Sequence, residues 1–251
     1  MSEAHAHPEH VAHHFDTAEQ QFETGKFGMW IFLLTEILFF SGLFVVYSTL
    51  RNNNPEVFAY AANHLDTNLG AINTVVLLIS SFTFALGVRN AMLGQRKALT
   101  VNLLITFLCA GAFMGIKYQE YTHKYHEGLL WSGAEHSVFK EDLSKVLPSV
   151  REHSAHGHTN AIADAEAMTP EFRREVGLFF AIYFCLTGLH GIHVLLGMVL
   201  IGWLIRRNAR GDFGPHNFGA IDFGALYWHI VDLIWIFRYH LSDLFGVNLQ
   251  G

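Results

Sequence analysis

Charge is what this sequence has least of. Charged residues fill 15% of 251 positions, whereas a water-soluble domain carries about 25%, and an ordinary soluble enzyme is excluded on that ground. Basic charge is scarcer still: 16 Lys and Arg face 22 Asp and Glu, a formal net charge of −6. No cationic surface exists to neutralise phosphates, so nucleic acid is not a partner. Cysteine is almost missing. Cys109 and Cys185 both lie inside apolar runs, which rules out a disulfide framework or a thiolate metal centre and leaves the redox compartment open. There is no Gly-rich phosphate loop, nucleophile elbow or Cys/His metal cluster. No internal repeat is visible, which counts against a transporter built from two related halves.

What the sequence does have is apolar length. About 20 apolar residues in a helix cover a hydrocarbon core of about 30 Å, and five runs reach that scale. Residues 27–49 carry one charge, Glu36; 67–88, 98–116 and 176–205 carry none; 220–241 carries Asp222, Asp232 and Arg238. These runs are apolar all round, without the polar face a soluble helix keeps, so the expected fold is an all-α integral membrane bundle of five transmembrane helices. The 22 Phe and five Trp suit burial against lipid and other helices.

The segments between the runs set orientation. Arg89, Arg96 and Lys97 join spans two and three, Arg206, Arg207 and Arg210 join spans four and five, and only Arg51 stands between spans one and two. By the positive-inside rule the even-numbered loops are cytoplasmic, which puts the N-terminus inside and the C-terminus outside. Residues 1–25 then form a His-rich cytoplasmic tail, with His5, His7, His10, His13 and His14 and no cleavable signal, so the first span itself directs insertion. Residues 121–169 form a long external loop with six histidines. Within it Ser137–Leu147 is a candidate surface helix ended by Pro148, and Thr169-Pro170-Glu171 reads as the capped start of the fourth helix.

Several polar residues stand where a bilayer rejects them. Glu36 is the tenth residue of its 23-residue run, at mid-membrane, where an acid costs roughly 2.5–3.5 kcal/mol on insertion scales. Desolvation favours its protonated form donating a hydrogen bond, with an interhelical bond that only fixes packing as the alternative. His190 and His193 share one face of the fourth span, and His229 and Asp232 repeat the i, i+3 spacing in the fifth, where the carboxylate can orient the imidazole locally. Two histidines one turn apart on one helix cannot supply both axial ligands of a sandwiched haem, so an interhelical polar pair is favoured over a metal site. Glu120 stands at the outer end of the third span beside Lys117, Tyr118 and Tyr121, where water and aromatic anchors make it inexpensive. Together these residues outline a polar seam, compatible with proton handling, headgroup binding or attachment to another subunit.

The sequence resembles subunit III of the haem-copper terminal oxidases over roughly residues 26–121 and 176–246. The resemblance is carried by Lys26-Phe27-Gly28-Met29-Trp30 leading into Leu34-Thr35-Glu36-Ile37-Leu38-Phe39-Phe40, by Asn73-Thr74, by Tyr118-Gln119-Glu120-Tyr121, by Thr187-Gly188-Leu189-His190-Gly191-Ile192-His193-Val194 and by Tyr227-Trp228-His229-Ile230-Val231-Asp232. It implies a non-catalytic subunit with no cofactor or metal of its own, docked on a subunit I that reduces oxygen, with haem and copper in the partner subunits and phospholipid bound. It also implies that Glu36 is the family's carbodiimide-reactive membrane carboxylate and that the subunit supports proton uptake. Glu120 and Asp232 are the other membrane carboxylates, Asn73, His190, His193, Trp228 and His229 the interhelical polar residues, and Arg206 a lipid headgroup contact.

Two departures from the family stand out. Two spans that precede the Glu36 segment in the seven-helix form have no counterpart, which predicts the five-span bacterial form with the missing pair carried on an extended subunit I. The external loop is long for the family and could receive a cytochrome c domain or a supercomplex partner. The leading expectation is subunit III of a proton-translocating cytochrome c oxidase in the bacterial cytoplasmic membrane, beside subunits I and II. The alternatives are an accessory subunit of a quinol oxidase or nitric oxide reductase and, in another class, a self-contained proton or ion carrier using Glu36, His190, His193 and Asp232. A histidine-ligated membrane metalloenzyme is disfavoured by its incomplete ligand sets.

Overall fold

The computed structural model of the chain describes residues 15–62, 65, 67–131, 137–140 and 165–239. Its described helices are α1 (Ala18–Asn53), α2 (Pro55–Ala62), α3 (Thr67–Met92), α4 (Arg96–His126), α5 (Pro170–Arg210) and α6 (Gly219–Tyr239). Five of them, all but α2, are long and apolar enough to cross a membrane. Among the described residues there is no β-strand, and the fold is an all-α membrane bundle.

The helices outrun the charge-free stretches at several ends, for local reasons. The Thr17 side chain accepts from the Gln20 amide at 3.1 Å, so α1 begins well before its apolar section. Thr169 caps α5 in the same way, with Pro170 in the first turn, where the missing amide hydrogen costs nothing. α4 continues ten residues past Ile116 because Lys117, Glu120 and Lys124 stand at i, i+3 and i+7 and pair within the helix. Gly211 ends α5 with φ +87, and a Cβ there would also lie 2.7 Å from the Arg96 guanidinium, so both conformation and space demand glycine. The short α2 was not expected from the sequence. Its Val57, Phe58 and Ala61 are buried against α5. Of the candidate helix Ser137–Leu147, only 137–140 are described, and they form a turn; residues 1–14 of the tail also lie outside the described residues.

Short turns make α3/α4 and α5/α6 antiparallel pairs, and α3 also packs on α6 while α4 packs on α5. The four helices therefore close a ring. Its interior is filled by Leu77, Phe84, Leu103, Phe113, Trp228 and Trp235. Gly197 brings α5 and α6 into close approach: a Cβ there would stand 2.6 Å from the Trp228 ring. α1 leans on α5 and α6 from outside the ring. Its buried residues are Leu33, Phe40 and Tyr47, each seven positions from the next, the spacing of a narrow coiled-coil seam. The rest of α1 faces outward, with Phe27, Trp30, Leu34, Leu38 and Val45 more than half exposed.

Candidate functional site: a polar seam along α5

Four polar side chains of α5, Tyr183, Thr187, His190 and His193, follow one another at i, i+4, i+7 and i+10 and so share one face. At one end His193 Nε2 lies 3.0 Å from Glu36 Oε2 on α1, and His193 Nδ1 lies 2.8 Å from the Leu189 carbonyl. The Phe40 ring stands edge-on to the imidazole at 5.3 Å, and the Tyr227 hydroxyl donates to the His193 carbonyl at 2.9 Å. One turn away His190 is 2% exposed, packed between Phe113 and Trp235 at ring distances of 5.5 and 5.0 Å, and neither ring nitrogen has a partner among the described residues. Next, the Thr187 hydroxyl pairs with the Tyr121 hydroxyl. At the far end the Tyr183 hydroxyl donates to Glu120, which Lys117 and Lys124 also approach, at 2.5 and 3.8 Å. Lys117 and Arg238 sit over the Trp235 ring at 4.9 and 4.4 Å. Burial in an aromatic cage makes each of these charges dependent on the others.

A second polar set lies between α3 and α6. The Trp228 indole donates to Ser80 Oγ at 2.9 Å, Ser80 Oγ is 3.4 Å from Asp232, and Ser81 Oγ is 2.8 Å from His229 Nδ1. The Trp235 indole donates to Thr74 at 3.2 Å. Partner numbers fall on α6 as they rise on α3, so the helices run antiparallel in a single register. Asn73 is fully buried with no partner among the described residues for its amide or carbonyl, and Asp232 Oδ1 likewise has none.

The sequence-predicted residues thus divide. Glu36 and His193 meet, whereas His190 is not tied to His193 and packs against aromatics. The expected local pairing of His229 with Asp232 is corrected: both turn to serines of α3, His229 to Ser81 and Asp232 to Ser80 and Ser81, because the facing helix presents hydroxyls to this face of α6. Glu120 is likewise corrected from a water-exposed end residue to one enclosed by two lysines and a tyrosine, because α4 continues beyond it. Arg206 is exposed in the last turns of α5, next to Arg207, which pairs with Asp212 at 2.9 Å. Sequence reasoning missed Ser80, Ser81, Lys124, Tyr183, Thr187 and Arg238. The 4-and-3 spacing of Tyr183, Thr187 and His190 was the available signal.

A haem does not fit these histidines. His190 is closed off by two rings, while His193 and His229 are each held by a protein partner. Among the described residues no three His, Cys, Asp or Glu side chains converge as metal ligands. The arrangement can hold protons and bind helices together. It contains no nucleophile with a base and an anion-stabilising group.

Fold and seam together define a multi-pass helical membrane protein whose polar groups join its helices. The family model described as Cytochrome c oxidase subunit III matches residues 130–247. The Quinol oxidase subunit 3 of Bacillus subtilis (strain 168) is 32% identical, with 97% of this chain and 98% of the relative covered. The Probable quinol oxidase subunit 3 of Staphylococcus saprophyticus is 25% identical over 96% of this chain and all of the relative, and that of Staphylococcus aureus (strain USA300) is 24% identical over 96% and 99%. The chain belongs to the subunit III family of haem-copper oxidases. Membership implies association with the other subunits of such an oxidase.

Proposed function

We propose that the chain is subunit III of a bacterial respiratory oxidase that takes its electrons from a quinol, and that it braces the catalytic subunit without carrying out chemistry. One observation carries the choice of donor: relatives aligned over nearly their whole length and nearly all of this chain are named as quinol oxidase subunit 3. The bracing role is supported by the surface of α1, whose outward apolar side chains suit lipid and a neighbouring helix bundle. On this reading haem and copper reside in the partner subunits, subunit I carries two additional helices, and subunit II completes the complex. Arg206 meets a phospholipid headgroup, and the polar seam holds the helices in the register that subunit I needs during proton uptake. Arg89, Arg96 and Lys97 at the adjoining ends of α3 and α4, with Arg206, Arg207 and Arg210 at the end of α5, support a cytoplasmic-membrane orientation with the N-terminus inside.

A second reading, subunit III of a cytochrome c oxidase, is favoured by the description of the family model that matches residues 130–247. Oxygen uptake by the complex purified through a tag on this chain separates the two. The proposal expects rapid uptake with a reduced quinol and none with reduced cytochrome c. The opposite pattern overturns it in favour of the second reading, and a tagged chain that elutes without haem overturns both.

A further inference from the structure

We infer that Glu36 and His193 share one proton in a charge-neutral clasp that seats α1 on α5, with the Leu189 carbonyl deciding which imidazole nitrogen meets the carboxyl. A carbonyl oxygen only accepts, so His193 Nδ1, 2.8 Å from it, carries a hydrogen. That leaves Nε2 facing Glu36 Oε2 at 3.0 Å. This contact needs one hydrogen. It sits on the oxygen with a neutral imidazole, or on the nitrogen with an imidazolium facing a carboxylate. Both arrangements hold the same proton and the same net charge, zero. A second proton leaves a net positive pair, and loss of the first leaves a net negative pair with two lone pairs face to face.

Nothing nearby compensates either change. α1 contributes the Phe40 edge to the imidazole, and α6 contributes Tyr227, whose hydroxyl is committed to the His193 carbonyl. The next titratable group on α5 is His190, packed against Phe113 of α4 and Trp235 of α6. Among the described residues, His193 is the ion-pair partner found for Glu36, and no Lys or Arg joins them. The pair is 17 and 19% exposed, on the outward side of the bundle among apolar residues. Separating charge there costs more than it returns, which selects the neutral form, with Glu36 Oε2–H donating to His193 Nε2.

The clasp also has a geometric role. Glu36 lies within the seam that contains Leu33, Phe40 and Tyr47. A slip of one turn would leave both the carboxyl and the imidazole without partners, so the clasp sets the register of α1 where apolar packing alone does not.

The test uses the intact oxidase complex. In histidine ¹⁵N-labelled complex, the signals lost in His193→Gln are expected to be one protonated and one unprotonated nitrogen, and infrared difference spectra of wild type against Glu36→Gln should contain a protonated-carboxyl band at neutral pH. Glu36→Gln keeps a donor for Nε2 and should retain the chain in the complex at the wild-type level. Glu36→Leu should weaken retention roughly fivefold to tenfold, the equilibrium equivalent of one lost hydrogen bond with its partner left bare. Two protonated nitrogens with a carboxylate band overturn the neutral clasp. Equal loss from the Gln and Leu variants also overturns it, because a charge would then be what seats the helix. The spectra of the wild-type complex decide the question even if a variant fails to assemble.

Discussion

At the scale of single residues, the most sensitive positions are those whose neighbours have no alternative. Gly197 is one. Alanine there places a Cβ 2.6 Å from the Trp228 ring, which is itself held by the indole bond to Ser80. Gly197→Ala should therefore lower the stability of the detergent-solubilised chain by about 1–3 kcal/mol, the usual cost of overpacking, read as a lower midpoint in thermal unfolding. Glu120 is another. Removing its charge leaves Lys117 and Lys124 buried together under Tyr183, Trp235 and Arg238. Glu120→Gln should cost roughly 3–5 kcal/mol, the scale for breaking one partner out of a buried pair. The double variant Glu120→Gln/Lys117→Met should recover part of that loss in the same unfolding assay. An equal or larger loss in the double variant would mean that the ion pair is not what makes Glu120 valuable.

At the scale of elements, α1 behaves unlike the ring helices. It touches α5 and α6 along one seam of residues spaced by seven, while most of its apolar surface faces away. In a bilayer, lipid tails are as apolar as the seam, so no transfer from water rewards its burial and only close packing and hydrogen bonds hold it. Phe40→Ala should then loosen α1 by only on the order of 1 kcal/mol, less than the same change in a water-soluble core. Leu38→Ala, on the outward face, should leave the isolated chain unchanged. Crosslinking between cysteines introduced on α1 and α5 measures both. The Thr169 cap was readable in the sequence, because it depends on residues close together in the chain, whereas the α1 seam of Leu33, Phe40 and Tyr47 lies in a run that is apolar all round and emerged only from the structure. α2 was not readable, because eight residues are too few to distinguish a docked helix from a loop without knowing what covers them.

At the scale of the whole molecule, the four-helix ring with one leaning helix leaves a broad apolar exterior around a largely apolar core that encloses a few polar groups. Such a chain suits a partner more than a substrate. Purified alone in detergent, it should consume no oxygen with any donor and give no haem absorbance, whereas solubilisation of the native complex through a tag on this chain should recover both. Orientation is testable independently. A single cysteine placed at Lys97, in a chain with Cys109 and Cys185 replaced, should react with a membrane-impermeant thiol reagent from the cytoplasmic side, and one at Thr122 from the other side. The reverse labelling would refute the assignment made from loop charge.

The number of membrane helices and the family were determined by the sequence itself. Hydrophobic length and separated local motifs are properties of consecutive residues, and they survive without knowledge of packing. Which polar residues meet was decided only by the tertiary structure. Glu36 and His193 are 157 positions apart, Ser80 and Trp228 are 148 apart, and Tyr183 reaches Glu120 across 63. The last two follow from the antiparallel registers of α3 with α6 and of α4 with α5, and the first from the way α1 leans on α5. Spacing along one helix says only which face a side chain shares, and the opposite face comes from another part of the chain.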